Sequence, residues 1–173
     1  MELNYKSFGQ GPPLVILHGL FGMLDNWQTI AKQLAAQHSV FIVDQRNHGR
    51  SPHTEDFNYR LLAEDLRGFL ESQWLYRSHL LGHCMGAERL PDYCVRQFLL
   101  KNLSRQKTGG YRWKMNLPVL HREYQAILAA VELETPYEGP ALFVRGERSN
   151  YLDTERIADV SHFIPSAHIQ SKP

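Results

Sequence analysis

The chain has little of what marks disulfide-rich or membrane-spanning proteins. Its 173 residues contain two cysteines, Cys84 and Cys94, too few for a disulfide framework, so a reducing and cytoplasmic location is expected. Its apolar runs are far shorter than the roughly 20 residues that cross a bilayer. Residues 1–6 lack the apolar core of a signal peptide. We therefore expect a protein that has no membrane partner.

The chain also lacks a dominant charge and a metal-binding signature. Nineteen Lys and Arg stand against 18 Asp and Glu, which leaves no basic field for nucleic acid. Its nine histidines do not show the spacing of a zinc site, so no metal or other cofactor is predicted. The length and the 43% hydrophobic content favour a single globular domain over residues 1–173.

What the chain does contain is a series of short apolar runs that alternate with amphipathic segments. Turn residues bound each run, as expected for strands buried on both faces of a sheet. We predict an α/β fold, an open and mostly parallel sheet with helices on both faces. The strands ending at Leu17, Val43 and Leu81 should be adjacent. The predicted strands are residues 14–17, 39–43, 79–81, 141–144 and, at the end, 167–170.

Capping and periodicity predict the helices between these strands. Asp25, with Gln28 in a capping box, is expected to begin a helix that ends near Gln37. Asn58 is expected to cap a second helix, and Pro118 to open another. The predicted helices after Asn58 cover residues 59–70, 87–103, 119–131 and 154–163, and residues 104–114 are predicted to form a polar, basic loop.

The sharpest motif is the sequence GHCMG at positions 82–86. A strand that leads into G-x-[S/C]-x-G and then a helix forms a nucleophile elbow, in which a tight turn exposes the central side chain. Cys84 is then the nucleophile, and the helix start favours its thiolate. The alternative is a buried, inert Cys84 between two unrelated glycines.

A second motif, His18-Gly19, directly follows a predicted strand. At this place a loop can supply backbone N–H groups to an oxyanion, and we predict that Leu20 and Met85 are the donors. Asp44 to Ser51 reads D-x-R-x-x-G-x-S and also follows a strand. We interpret it as a structural turn, in which His48 is a turn residue rather than a catalyst.

The three motifs, in this order, resemble those of the α/β-hydrolase superfamily. The chain is most similar to the small esterases that include bacterial acyl-ester and acyl-CoA-cleaving enzymes and a mitochondrial relative. The resemblance resumes in residues 95–103, 111–117 and 139–146. It implies hydrolysis of a small-molecule carboxylic ester or thioester, without a cofactor, under a reduced helical lid over about residues 88–138.

The chain departs from that family in three ways. Cys84 occupies the position at which the family has serine. Dienelactone hydrolases of the same fold also have cysteine there. A helix, a strand and the catalytic aspartate that normally follow the elbow have no counterpart. The sequence stops at Pro173, where the family would continue into a Gly-His motif that holds the general base. The chain therefore resembles an internally deleted and C-terminally truncated hydrolase, and uncovered apolar sheet surface is expected to favour self-association.

Three other residues are candidates to replace the missing acid and base. Glu147 and Asp153 follow the strand after which many α/β-hydrolases place their acid. His168 suits a Cys-His pair, although it lies at the start of a strand, whereas catalytic groups gather beyond the carboxyl ends. Two hypotheses remain besides the hydrolase, a catalytically impaired relic and a small-molecule binding module.

Overall fold

A computed structural model describes residues 1–83, 100–129, 135–147 and 152–173 of the chain. These residues group into two compact units, Met1–Ala129 and Ala130–Pro173. The expectation of a single domain stays a prediction.

The first unit contains the predicted sheet. Its strands β1 (Tyr5–Phe8), β2 (Pro13–Leu17), β3 (Ser39–Val43) and β4 (His79–Gly82) lie in the order β1-β3-β2-β4. β2 pairs in parallel with both β3 and β4, and β1 is antiparallel to β3. The predicted adjacency of β2, β3 and β4 is confirmed, and β4 continues one residue past Leu81.

Helices cover both faces of this sheet, as predicted. Leu14 and Ile16 of β2 point to one face, where they pack with Ala31 of α1 (Gln28–Leu34). Val15, between them, points to the other face and packs with Phe69 of α2 (Tyr59–Ser72). Alternation along one buried strand therefore holds a helix on each side.

The start of α1 differs from the prediction. A 3-10 turn over Leu24–Asn26 comes first, and α1 runs only from Gln28 to Leu34. The Asp25 carboxylate does not cap it but accepts from Lys6 Nζ at 2.7 Å. The reason is that the Leu24 N–H donates to the Asp44 carboxylate at 2.7 Å, which holds this segment in a tighter turn.

The cap of α2, in contrast, is as predicted. The Asn58 side chain accepts from the backbone N–H of Leu61 at 2.9 Å. This hydrogen bond satisfies one of the amide groups that a helix start leaves without a partner in the helix.

The predicted loop over residues 104–114 is instead a β-hairpin. β5 (Leu103–Arg105) and β6 (Tyr111–Trp113) pair antiparallel. Gly109 and Gly110 have φ angles of +92° and +80°, a region that glycine enters without steric cost. Two glycines between short segments were the signal for a hairpin in the sequence.

The predicted helix over residues 119–131 is shorter and broken. α3 (Leu117–Arg122) begins one residue before the predicted start at Pro118, and α4 (Tyr124–Leu128) follows after Glu123. Residues 130–134 lie outside the described residues, as does most of the predicted helix over 87–103. An apolar cluster joins α3 and α4 to Phe57 through Leu120 and Ile127.

The second unit contains two parallel strands and one helix among its described residues. β7 (Ala141–Gly146) pairs with β8 (Ala167–Lys172), and α5 (Thr154–Phe163) connects them. These elements confirm the predicted strands and helix of this region. No helix in the described ranges of either unit is long and apolar enough to span a membrane.

Apolar side chains are exposed on strands of both units. Leu80 of β4 is 53% exposed, and Leu142 and Val144 of β7 are 62% and 59% exposed. Self-association through this surface stays a prediction.

A buried ion pair joins the segment after β3 to α2. Arg46 binds Asp65 through Nε to Oδ2 at 2.5 Å and Nη2 to Oδ1 at 3.0 Å. Both side chains are buried. Two parallel hydrogen bonds fix the orientation of the carboxylate as well as its distance. The pair therefore sets the position of α2 relative to the carboxyl end of β3.

We expect Asp65→Asn to destabilise the first unit by about 3–5 kcal/mol, because it leaves the buried Arg46 charge without its partner. Urea denaturation measures this change. The matched control is Glu64→Gln on the same helix, which breaks an exposed pair with Arg60 at 3.1 Å and should cost less than about 1 kcal/mol. Equal losses in the two variants would contradict the structural role of the Arg46–Asp65 pair.

Candidate functional site

The predicted elbow begins where β2 and β4 end side by side. Leu17 of β2 is opposite Gly82 of β4, and the His83 N–H donates to the Leu17 carbonyl at 3.1 Å. The strand end and the residue just before Cys84 are therefore fixed against β2. Cys84 and Met85 lie outside the described residues, and their predicted roles stay predictions.

The loop after β2 forms a tight turn beside this strand end. The Gly22 N–H donates to the Gly19 carbonyl at 2.9 Å, with Leu20 and Phe21 at the corners. Phe21 has a φ of +60°, which costs a non-glycine residue roughly 1–2 kcal/mol. Leu20 is half-buried and packs against the apolar cluster of α3 and α4. The predicted oxyanion residue is thus held by packing as well as by the turn.

Hydrogen bonds at both ring nitrogens fix the His18 side chain. Its Nε2 lies 3.0 Å from the Gln45 N–H, which can only donate, so Nε2 is the unprotonated nitrogen. Nδ1–H then donates to the Gly19 carbonyl at 2.8 Å. Burial lowers the pKa of His18 from 6.5 to about 4. His18 is therefore a neutral structural residue that ties the loop after β2 to the end of β3.

His48 is a buried turn residue, as predicted. Its Nδ1 lies 2.9 Å from the Arg46 carbonyl, and its Nε2 is buried with no hydrogen-bond partner among the described residues. Its ring meets the His18 ring edge-on, with centroids 5.0 Å apart. Burial, together with the nearby His18, lowers the pKa of His48 from 6.5 to about 3. His48 therefore stays neutral under ordinary conditions.

This low pKa gives a testable pH dependence. Between about pH 6.5 and 3 the unfolded chain binds a proton at His48 that the folded chain does not, so stability falls as the pH is lowered through this range. We expect His48→Asn to lose less stability than the wild type when the pH is lowered from about 7 to 5. The Asn amide can still donate to the Arg46 carbonyl. This pH range lies above the pKa values of ordinary carboxyl groups.

Urea denaturation at the two pH values measures the difference. The control, His121→Asn, removes an exposed histidine from α3 and reports the effect of losing any imidazole. The same pH dependence in the wild type and in His48→Asn would show that His48 does not contribute to it.

The Asp44 carboxylate organises the segment after β3. It accepts from Asn4 Nδ2 at 2.7 Å, from the Leu24 N–H at 2.7 Å and from the Arg50 N–H at 3.0 Å. Ser51 Oγ donates to the Asp44 carbonyl at 2.6 Å. The prediction of a structural turn is confirmed for Asp44. Arg46 instead reaches α2, and no motif in the sequence identified Asn4 as a partner.

Gly49 allows the turn to close on this carboxylate. Its φ is +58°, and a Cβ there would lie 2.2 Å from the Asp44 carboxyl group. We expect Gly49→Ala to destabilise the protein by about 2 kcal/mol or more, since backbone strain adds to displacement of the carboxylate. Thermal unfolding measures it.

The matched control is Gly68→Ala in α2, where a Cβ meets nothing within 4 Å. This change should stabilise the helix by about 0.5–1 kcal/mol. A neutral Gly49→Ala would refute the steric argument at the turn.

Hydrogen bonds fix a described part of the predicted lid, residues 100–129, to the turn after β3. The Asn116 N–H donates to the Asn47 carbonyl at 2.7 Å, and Asn116 Nδ2 donates to the Thr54 carbonyl at 3.2 Å. Tyr59 Oη of α2 donates to the Ile127 carbonyl at 2.9 Å. Side-chain amides that bind backbone groups carry no distinct sequence signal, so these contacts were not predicted.

The second unit separates two of the three acid and base candidates. His168 pairs with Leu142 at the start of β8, and Glu147 lies just past the end of β7. Five residues of strand place them about 17 Å apart. Asp153 caps α5 by accepting from the Arg156 N–H at 3.0 Å. Glu147 and His168 therefore do not act as one hydrogen-bonded pair.

The described residues hold no group of three or more His, Cys, Asp or Glu side chains that is suited to a metal ion. His121 and His162 are exposed on α3 and α5. The His83 ring lies edge-on to Trp27 at 5.6 Å between centroids.

Comparison with known proteins shows the family. The family model described as alpha/beta hydrolase fold matches residues 12–88. The sn-1-specific diacylglycerol lipase ABHD11 of Xenopus laevis is 30% identical over 98% of this chain and 76% of the relative. Esterase YbfF of Escherichia coli (strain K12) is 28% identical over 90% of this chain and 82% of the relative. A solved structure, a marine microorganism esterase, is 29% identical, with a TM-score of 0.91 over 99% of this chain and 91% of the other.

The alignment with the Xenopus laevis relative also bears on the predicted deletion. It extends over 238 positions, whereas this chain has 173 residues, so at least 65 aligned positions have no counterpart here. That gap is consistent with an internally shortened chain. The motifs, the sheet order and these matches lead to the same conclusion: the chain belongs to the α/β-hydrolase family, and its relatives are esterases and lipases.

Proposed function

We propose that the protein hydrolyses small carboxylic esters or thioesters by acyl transfer through Cys84. The observation that carries the proposal is the hydrogen bond from the His83 N–H to the Leu17 carbonyl at 3.1 Å. Consecutive Cα atoms are about 3.8 Å apart, so Cys84 begins one residue from a point fixed on β2. The loop that contains Leu20 begins at the same strand end. The adjacent strand ends from which His83 and the Leu20 loop continue support the proposal.

The proposed reaction has two halves. In the first, the Cys84 thiolate attacks the carbonyl carbon, and the Leu20 and Met85 N–H groups stabilise the oxyanion. The C–S bond to the enzyme forms as the bond to the alcohol or thiol leaving group breaks, and the leaving group takes a proton. In the second half, water attacks the acyl-Cys84 carbonyl, which releases the acid and regenerates the thiol.

The described part of the lid packs around the predicted oxyanion residue. Leu20 and Phe21 pack against the cluster that includes Met115 and Leu120. In the proposed reaction these apolar surroundings favour a non-polar acyl group. Asn116, bound to Asn47, fixes the start of this lid segment.

The second candidate function is a catalytically impaired relic that binds small molecules. It is favoured by the roughly 17 Å between Glu147 and His168 along their parallel strands and by the use of Asp153 as a helix cap. With no acid–histidine pair between these two residues, deacylation is the slow step. A positioned base typically contributes on the order of 10²–10⁴-fold.

We expect an activated short-chain ester such as p-nitrophenyl acetate to give one burst, ending in an acyl-Cys84 adduct, followed by slow turnover. Thiolate attacks without a strong base, whereas activation of water requires one. Absorbance follows the burst, and mass spectrometry locates the acyl group. Cys84→Ala should abolish the burst, and the matched control Cys94→Ala should retain it.

Sustained turnover that Cys84→Ala abolishes would show that a base serves Cys84 and would favour the hydrolase over the relic. A burst that survives in Cys84→Ala, or that Cys94→Ala removes equally, would overturn the assignment of the nucleophile.

A further inference from the structure

A cleft of about 630 Å³ opens in the first unit beside the turn after β3. β1, that turn and the β5–β6 hairpin contribute its walls. In the strand order β1-β3-β2-β4 it lies toward β1, whereas the predicted elbow follows β4. The residues of this cleft therefore differ from those of the proposed esterase site. Its cationic lining residues are Lys6, Arg50, Arg112 and Lys114.

The two carboxylates that line the same cleft are already engaged. Asp25 accepts from Lys6 Nζ at 2.7 Å. Asp44 is 2% exposed, and its oxygens accept hydrogen bonds from Asn4, Leu24 and Arg50. Neither carboxylate neutralises the guanidinium groups of the cleft, so the positive charge of the walls is left for another anion.

The guanidinium groups of Arg50 and Arg112 are available. Within the described ranges neither group donates to a carboxylate or carbonyl of the protein, and both residues are exposed. Lys114 donates one hydrogen bond, to the Lys101 carbonyl at 2.7 Å, and its ammonium group has three hydrogens to donate. The cleft thus presents two planar donor forks and one ammonium group.

The hairpin places Arg112 and Lys114 on one wall of the cleft. Ser104 of β5 is directly opposite Arg112 of β6, and opposite residues of an antiparallel pair point to the same face. Lys114 follows two residues after Arg112, and both line the cleft. The hydroxyl of Ser104 adds a donor beside the guanidinium. Arginine forks match the geometry of phosphate oxygens, which accept two parallel hydrogen bonds.

We propose that this cleft binds the phosphate group of a small, soluble ligand. The cationic groups come from the turn after β3 and from the hairpin, and they line a recess rather than a flat surface. A recess of this size suits a small molecule more than a lipid bilayer. The proposal does not depend on the chemistry of Cys84, since the cleft does not include the elbow or the loop residues His18 to Gly22.

Titration with inorganic pyrophosphate tests the proposal, by isothermal calorimetry and by the fluorescence of Trp113, which lines the cleft. We expect saturable binding that weakens at high salt. The double variant Arg50→Gln/Arg112→Gln should bind at least about tenfold more weakly, because two charge-assisted donors are lost. The matched control Arg60→Gln/Arg67→Gln makes the same change of charge on α2 and should bind like the wild type. Circular dichroism checks that both fold.

The single variant Arg112→Lys keeps the positive charge but removes the planar guanidinium group. A loss of affinity in this variant therefore identifies bidentate binding by the guanidinium, because the net charge is unchanged. Absent pyrophosphate binding, or an equal loss in the α2 control, would overturn the proposal. An equal response to acetate would show a general anion site and would overturn the assignment to phosphate. Binding to phosphatidylcholine vesicles only when they contain phosphatidic acid, without pyrophosphate binding, would show a lipid surface site instead.

Discussion

The architecture around the candidate site depends on the Asp44 carboxylate. Three separate segments, before β1, after β2 and after β3, donate to it through Asn4, Leu24 and Arg50. A buried carboxylate is costly unless its lone pairs are satisfied, and here they are satisfied by groups that must converge for the purpose. The strand ends are therefore locked to one another at the edge of the sheet where the site is built. Gly49 closes the turn because only a residue without Cβ fits against this carboxylate.

Neutral histidines extend the same constraint toward the elbow. His18 accepts from the backbone of Gln45 and donates to its own loop, so it joins the carboxyl ends of β2 and β3 through one ring. His48 packs edge-on against it. Two buried imidazoles 5.0 Å apart are compatible with folding because neither is charged, as their lowered pKa values of about 4 and 3 require. Both ring nitrogens of His18 are engaged in positioning the loop.

Local sequence signals predicted those parts of the fold that local chemistry decides. Buried apolar runs predicted that the strands ending at Leu17, Val43 and Leu81 are adjacent, and Asn58 predicted the start of α2. The signals failed where a distant group competes. Asp25 has the residue type of a helix cap, but Asp44 binds the neighbouring Leu24 N–H and converts the segment to a 3-10 turn. The Arg46–Asp65 pair, too, joins residues whose spacing along the chain carries no pattern. In the candidate site, sequence motifs predicted the loop after β2 and the turn after β3. No motif predicted the contact of Asn116 with Asn47.

The nucleophile type and the separation of acid from base are physically connected. A serine hydroxyl needs a base in order to attack. A serine hydrolase that loses its histidine partner therefore loses the first half of the reaction. A thiol is partly ionised near neutral pH, and a helix start favours the ionised form further. In the proposed reaction, cysteine therefore preserves acyl transfer where serine would not. In the second half the attacking group is water in either case, and its activation still requires a base. Parallel pairing of β7 and β8 places Glu147 and His168 at opposite ends of the strands, so these two residues cannot activate that water as one unit. In the proposed reaction, acylation of Cys84 therefore does not depend on a Glu147–His168 pair, whereas deacylation would need a base from elsewhere.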